Sequence, residues 1–465
     1  MKHHLRLIVP ALILAALVAT VLPAQTAGGA EGAEEGARQN TTEPGDSGRE
    51  NRSGSGGRAL PLTPSQAVKR AVAASRGVDN ARLELAIQQD AADNSWNRFL
   101  PSLQFSAGPS YSFAEELENR WSASGQLSAR LTLSGSTFTL PEGRDLAVRE
   151  STLALDRQEW RLRREVLRGY FDIVSRRASV ELQEQRVTAA RRRLAQSEEN
   201  FERGVVSEFS VLEARLSYQN ALPELSAAEQ RLRAAIREFR SLLAVPEARE
   251  IELVSDIPKL ALETSPEELL SEYAGGAPAL REAQLARAAA ALESAREENA
   301  LLPSVSLSAS LGYTGAEPFE LSDQGIRRTG SGNLTVTVPI DPFVPGSDGS
   351  LGREESRRRI TIAENRFDSA EDELSRAVRN ALDSVTASAE QINVVERNAD
   401  LAERVYRIAQ ERFEAGAISS LELQNSELER TRSQVAVIEQ RLVHVRSLIE
   451  VEFLLGANLE ELPWE

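Results

Sequence analysis

The stretch from Leu100 to Ser134 alternates apolar with small polar residues, and a second copy of it lies further along the chain. A period of two is typical of a β-strand with two different faces. A charged segment, Glu115 to Arg120, separates two such runs. Each run has about ten residues, the length of a tilted strand that crosses a bilayer. The pattern therefore predicts two amphipathic β-hairpins of membrane-spanning length.

The two faces of each predicted hairpin differ in chemistry. Ser, Gln, Asn and Thr form one face, which suits a watery lumen, and larger apolar residues form the other, which suits lipid. The apolar positions are Leu103, Phe105, Ala107, Pro109, Tyr111, Phe113, Ala123, Gly125, Leu127, Ala129, Leu131 and Leu133, and then Val305, Leu307, Ala309, Leu311, Tyr313, Leu334, Val336, Val338 and Ile340. Near the strand ends, Tyr111, Phe113, Trp121 and Tyr313 are expected to form an interfacial aromatic girdle. Barrels built from one chain need about eight strands or more, so four strands per chain require several chains in one barrel.

The N-terminal region has the features of an export signal. Residues 1–24 combine Lys2 and Arg6 with an apolar centre and small residues at the end, as secretory signal peptides do. Residues 25–60 are rich in Gly, Glu, Ser, Asn and Thr and are expected to form a disordered linker. No later segment reaches the ~18 apolar residues of a transmembrane helix. The mature protein is therefore expected outside the cytoplasm.

Composition argues against catalysis. The chain has no cysteine, and only His444 follows the signal peptide. A thiolate nucleophile is excluded, and a metal site or general base would depend on one histidine, which is more simply a packed or surface residue. Because there is also no Gly-x-Ser-x-Gly motif and no phosphate-binding loop, neither a hydrolase nor a cofactor is expected. A net charge of −16 argues against nucleic acid as a partner.

Matching residues indicate an internal duplication. The pairs 202 positions apart are Pro64 and Pro266, Asn97 and Asn299, Leu100 and Leu302, Pro101 and Pro303, and Tyr111 and Tyr313. The pairs 212 positions apart are Phe201 and Phe413, Gly204 and Gly416, Ser207 and Ser419, and Leu242 and Leu454. A constant spacing over helix and strand patterns predicts two structural repeats, residues 61–262 and 263–465.

A long helical pattern follows each hairpin. Residues 144–202 and 352–414 contain no proline, and apolar residues recur every seven positions. This period winds helices into coiled coils, and at about 1.5 Å per residue the first helix would be roughly 90 Å long. A glycine turn then leads to a return helix in each repeat. The expected fold is mainly α, with tandem long-helix repeats and four β-strands per chain.

Several motifs occur in both repeats in the same order. Leu100-Pro101-Ser102 and Leu302-Pro303-Ser304 join a helix to a strand, and a Phe-x-x-Gly-x-x-Ser motif begins at Phe201 and again at Phe413. Together with the duplication, these motifs resemble those of the TolC-like outer-membrane efflux proteins over about residues 62–459. The resemblance implies a homotrimer whose 12 strands form one transmembrane barrel in the outer membrane, with a helical tunnel extending into the periplasm.

The resemblance also implies partners and site residues. The chain would be the exit duct of a tripartite efflux pump or a type I secretion system, surrounded by outer-membrane lipid and served by a periplasmic adaptor and an inner-membrane transporter. In the family, acidic residues on the second return helix ring the closed entrance. Glu422, Asn425 and, in the first repeat, Ser210 fall on these pore-constriction positions. The implied adaptor-docking turns are Gly204, Val205, Val206, Ser207, Gly416, Ala417, Ile418 and Ser419.

Plainer interpretations of the same residues stay open. Glu422 could be a solvated helix residue, and the glycines and serines of the turns could serve only as turn and capping residues. At the level of the whole chain, the alternative is a periplasmic coiled-coil scaffold or adaptor whose hairpins are soluble. Whether the protein needs detergent distinguishes this alternative from a channel.

Overall fold

The computed structural model describes residues 60–112, 120–246, 251–254, 265–315, 326–415 and 417–457. The predicted signal peptide lies outside these residues, as does the predicted linker except for its last residue, which begins the first strand. The boundary predicted between the repeats, at residues 262 and 263, also lies outside them.

The elements recur in the same order in the two halves of the chain. In chain order they are β1 (Leu60–Leu62), α1 (Pro64–Ala74), α2 (Arg76–Asp93), β2 (Ser102–Ser112), β3 (Arg120–Leu133), α3 (Gly135–Phe138), α4 (Leu140–Glu202), α5 (Glu208–Leu242), β4 (Ile251–Leu253), α6 (Pro266–Tyr273), α7 (Pro278–Asn299), β5 (Ser304–Gly315), β6 (Ile326–Thr337), α8 (Asp348–Glu414) and α9 (Ser420–Leu455). The described residues are therefore mainly helical with few strands, as the sequence predicts.

The chain divides into a sheet unit and a helical unit, and each half contributes to both. The sheet unit comprises Asn94–Thr137 and Leu302–Pro339. Its four long strands form one antiparallel sheet in the order β2-β3-β5-β6, so the two predicted hairpins pair with each other through β3 and β5.

The register of the sheet confirms the predicted separation of faces. Leu127 pairs with Phe105 on β2 and with Leu311 on β5, while Ser128 pairs with Gln104 and Ser310. Because side chains alternate along a strand, these two rows lie on opposite faces. The sheet therefore has an apolar face and a face of small polar residues.

The second hairpin ends earlier than the sequence predicts. Val338 and Ile340 were expected on its last strand, but β6 ends at Thr337. Pro339 follows directly, and a proline has no N–H to donate to a sheet ladder. The strand begins earlier instead, at Ile326, and pairs with β5 up to Gly315.

The helical unit contains the two predicted long helices. Helix α4 has 63 residues and α8 has 67, so each is about 95 to 100 Å long at ~1.5 Å per residue. Helix α5 pairs with α4, α9 pairs with α8, and α9 also packs against α4, which joins the two halves. The predicted return helices are present, and α5 continues through Pro223.

Helix starts are fixed by local capping. Thr63 forms a capping box with Gln66, and Ser265 forms the equivalent box with Glu268 in the second half. Each box satisfies two N–H groups that the first helical turn leaves without partners. Helix α1 ends at its C-cap Ser75, whose backbone is extended.

A buried core joins α4 and α5 to β1 and α1. Tyr170 is fully buried, and its hydroxyl donates a hydrogen bond of 3.0 Å to the carbonyl oxygen of Leu62. Its ring lies edge to face with that of Phe239, with 6.3 Å between the ring centroids. Strand β1 pairs in parallel with β4 beside this core.

A second core lies between α8 and α9. It includes Val378 and Val385 from α8, Val451 and Leu455 from α9, and Leu269 from α6. None of the helices that the structure describes is apolar over a length that could cross a bilayer.

Candidate functional site

The first tip, residues 203–207, connects α4 to α5 through a tight turn. Gly204 has φ of +76°, a left-handed conformation that glycine adopts without strain. The N–H of Val205 donates to the carbonyl of Asn200 at 2.9 Å, which satisfies one of the last carbonyls of α4. Ser207 then caps α5 by accepting a hydrogen bond from the N–H of Ser210.

The second tip, residues 415–419, connects α8 to α9 in the same manner. The N–H of Ala417 donates to the carbonyl of Arg412 at 2.8 Å. Ser419 and Glu422 form a full capping box, in which the Glu422 carboxylate accepts from the Ser419 N–H at 3.0 Å. Gly416, a predicted docking residue, lies outside the described residues.

The two tips lie next to each other and enclose a cavity of about 450 Å³. Its walls include Val206 and Ser210 from the first half and Phe413, Ile418 and Ser420 from the second. Val206 and Ile418, two of the implied docking residues, are half-buried, whereas Val205, which also lines the cavity, is 70% exposed.

The predicted constriction residues sit near this cavity with different partners. Ser210 lines it, and its hydroxyl lies 3.3 Å from that of Ser207. Glu422 and Asn425 are exposed, and Glu422 is already engaged as a helix cap. Because Glu422 fulfils a local structural role, its substitution by alanine removes half of the capping box as well as a charge.

A hydrogen bond between the tips was missed by the sequence analysis. The Ser420 hydroxyl donates to the Glu213 carboxylate at 2.7 Å, joining α9 to α5. Glu213 occupies the first-half position that matches Asn425, 212 residues later. A comparison of the two repeats could therefore have pointed to Glu213, since this position is acidic in the first half and neutral in the second.

A buried ion pair below the tips was also missed. Arg193 Nη2 on α4 lies 2.5 Å from Glu427 Oε2 on α9, and the two side chains are only 14% and 10% exposed. A heptad pattern indicates which residues face a partner helix but not which helix that partner is, so this pair could not be assigned from the sequence.

A solvent-exposed face of α5 near the first tip carries apolar residues that the sequence analysis did not single out. Phe209, Leu212 and Leu216 are all exposed, Phe209 by 67%. Their spacing of three and four residues places them on one helix face. An exposed apolar stripe of this kind is typical of a surface that another protein covers.

Replacement of Gly204 by alanine should loosen the first tip. A Cβ there meets no atom within 4 Å, so the cost comes from the left-handed backbone alone, about 1 to 2 kcal/mol. Amide hydrogen exchange of the first tip should accelerate by about tenfold. Gly275→Ala is the matched control, because Gly275 also has open space around it but no positive φ. Equal exchange in both variants would contradict this assignment.

The sheet unit carries the apolar face and the aromatic girdle that the sequence predicts. Tyr111 and Tyr313 of the predicted girdle are exposed on the apolar face, whereas Phe113 and the side chain of Trp121 lie outside what the structure describes. Ser hydroxyls meet across the polar face, 2.8 Å apart between Ser110 and Ser122.

His444 has a packing role, as its simplest interpretation predicted. It is 1% exposed, and its Nδ1 lies 2.8 Å from the Ser388 hydroxyl. No group of three or more His, Asp or Glu side chains in the described ranges could hold a metal ion.

The family model for outer membrane efflux proteins matches residues 67–245 and 269–457, so the chain belongs to this family. The assignment confirms the predicted outer-membrane localisation and a role in efflux rather than catalysis. No curated protein is significantly similar in sequence.

Solved structures share the fold at low sequence identity. CusC, described with transmembrane channel formation, superposes with a TM-score of 0.70 at 16% identity, over 85% of this chain and 92% of CusC. The outer membrane protein VceC from Vibrio cholerae gives 0.67 at 16% identity, over 85% and 96%. The CmeC outer membrane channel from Campylobacter jejuni gives 0.68 at 14% identity, over 84% and 85%.

Proposed function

We propose that this protein is a passive exit duct across the outer membrane and periplasm, built as a homotrimer with a 12-stranded β-barrel. The observation that carries the proposal is the four-stranded sheet with one apolar and one small polar face. A closed sheet of this kind places apolar side chains against lipid and polar side chains around water.

The edges of the sheet support assembly from several chains. Strands β2 and β6 have 11 and 12 residues, and each pairs on one side only within the described part of the chain. Long unpaired strands expose N–H and C=O groups that a bilayer cannot satisfy. Pairing β6 of one protomer with β2 of the next removes these edges by closing a barrel.

The tips are proposed as the docking surface for a periplasmic adaptor, which in turn meets an inner-membrane transporter. Val205 and the stripe of Phe209, Leu212 and Leu216 supply exposed apolar surface beside the inter-tip cavity. Such surface is suited to a protein partner rather than to water. The same duct serves drug efflux or type I secretion, because a passive tunnel takes its cargo from the transporter.

Glu422 is proposed to contribute a ring of carboxylates at the tip entrance. Glu422→Gln should lower the K⁺/Cl⁻ permeability ratio severalfold, because it removes the charge while its amide oxygen can still accept the Ser419 N–H bond. Glu422→Ala should lower the ratio similarly and also raise conductance, since it removes the carboxylate half of the capping box and so weakens the start of α9. The ratio is obtained from reversal potentials in planar bilayers. If both variants keep the original ratio, Glu422 does not face the pore.

One experiment tests the duct itself. Full-length protein extracted in detergent should have a trimeric mass and should form discrete conducting channels in planar bilayers. A monomer that stays soluble without detergent and gives no conductance would contradict the proposal and favour the scaffold alternative.

A further inference from the structure

The strands of the sheet have an unusual charge composition. They contain four arginines, Arg120, Arg130, Arg327 and Arg328, and no aspartate or glutamate. The whole chain, in contrast, has 70 acidic and 54 basic residues. The strands therefore carry a net positive charge in an otherwise acidic protein, because they lack acidic residues.

Arg130 and Arg327 belong to the polar face. Arg130 pairs with Ser102 and Ser308, and Arg327 pairs with Thr314. Thr329, two residues after Arg327, lies on the polar face of β6. A Cβ added to Gly312, which belongs to the polar row of β5, would lie 2.7 Å from the Thr329 hydroxyl, so the two positions share that face. Side chains two residues apart on a strand share a face.

Arg328 lies on the opposite, apolar face. Its guanidinium carbon is 5.9 Å from the centroid of the Tyr313 ring, an aromatic residue of the apolar row. Arg328 thus has the same charge and a neighbouring backbone position but faces away from Arg327. It provides a natural internal control.

Among the described residues, no carboxylate pairs with either of the two polar-face arginines. Both are exposed, and within the ranges that the structure describes no ion pair involves either of them. Rings of arginine or lysine around a pore favour anions, because a water-filled cavity with low-dielectric walls focuses their field.

We propose that the barrel segment of this duct is selective for anionic solutes, with Arg130 and Arg327 as the residues that set the preference. The inference rests on the proposed channel function. In a trimer each residue is repeated around the axis and forms a positive ring. The solutes that fit carry carboxylate, phosphate or sulfate groups, which guanidinium binds in bidentate geometry.

The two rings occupy different levels of the sheet. Arg130 is three residues before the end of β3, whereas Arg327 is the second residue of β6. In the antiparallel register, Arg130 pairs with Ser308 near the start of β5 and Arg327 pairs with Thr314 near its end. These partners are six positions apart on β5, or about 20 Å at ~3.3 Å per residue, so the positive field extends along the strands rather than acting at one point.

The test measures the Cl⁻/K⁺ permeability ratio of the full-length protein in planar bilayers, in the Glu422→Gln background so that the proposed carboxylate ring of Glu422 does not contribute. Arg130→Ser combined with Arg327→Ser should lower the ratio by about twofold at 0.1 M salt and by much less at 1 M, where screening is stronger. Arg130→Lys combined with Arg327→Lys should retain the ratio, since the charge is kept. Arg328→Ser should leave it unchanged.

A second readout uses a multivalent anion. Tripolyphosphate should reduce the current of the background protein, and the double serine variant should need several times more of it for the same reduction. An unchanged ratio in the double serine variant, or an equal change in Arg328→Ser, would overturn the inference while the channel function stands. Absence of any conductance in the background protein would overturn the channel function and the inference together.

Discussion

Replacing Glu427 with alanine is expected to lower the free energy of unfolding by about 3 to 5 kcal/mol. Glu427 and Arg193 form an ion pair in which both side chains are largely buried, between α9 and α4. Removal of the carboxylate leaves a buried guanidinium without its charge partner, and the desolvation of that charge is no longer compensated. The apparent midpoint of thermal unfolding, followed by far-UV circular dichroism in detergent, should fall accordingly.

The control for Glu427 is an exposed pair on the same helix. Glu429 and Arg432 lie 3.9 Å apart with side chains 68% and 69% exposed, so Glu429→Ala should cost at most about 0.5 kcal/mol. A double variant, Arg193→Met with Glu427→Leu, should recover most of the lost stability because no unpaired charge remains. If Glu427→Ala behaves like Glu429→Ala, the pair does not hold α9 to α4.

The long helices were predicted closely because their signal is local and repeated many times. The predicted start at residue 144 is four residues late, since α4 begins at Leu140 with Pro141 in its first turn. Proline is tolerated there because its missing N–H would have no helical partner. Helix α8 likewise starts at Asp348, capped by Ser347, ahead of the predicted residue 352.

The start of β6 shows where a periodic pattern fails to predict a strand. The start of β6 contains Arg327, Arg328, Gly330 and Gly332 and has no apolar alternation, so the sequence placed this strand too late. Pairing with β5 holds these residues in the sheet despite their weak propensity. Tertiary context, rather than local preference, fixes that part of the structure.

The tips contain both local features that the sequence predicts and tertiary contacts that it does not. The glycine and serine of the first tip were identified from the sequence because Gly204 needs a left-handed backbone and Ser207 caps a helix. The bond from Ser420 to Glu213 joins residues more than two hundred positions apart, and only the close approach of the two tips in the folded chain creates it. The sequence can therefore identify turns and caps, but not the contacts that hold two turns together.

Replacing Tyr170 with alanine should also lower the free energy of unfolding by about 3 to 5 kcal/mol, because it opens a cavity in the core between α4, α5, β1 and α1. Tyr170→Phe separates packing from hydrogen bonding, since it keeps the ring and removes the hydroxyl that donates to the Leu62 carbonyl. That carbonyl also accepts from the N–H of Val254 at 3.2 Å, so Tyr170→Phe should cost only about 1 kcal/mol. Thermal unfolding in detergent measures both variants. Similar losses in the two would show that the hydroxyl, rather than the packed ring, stabilises this junction.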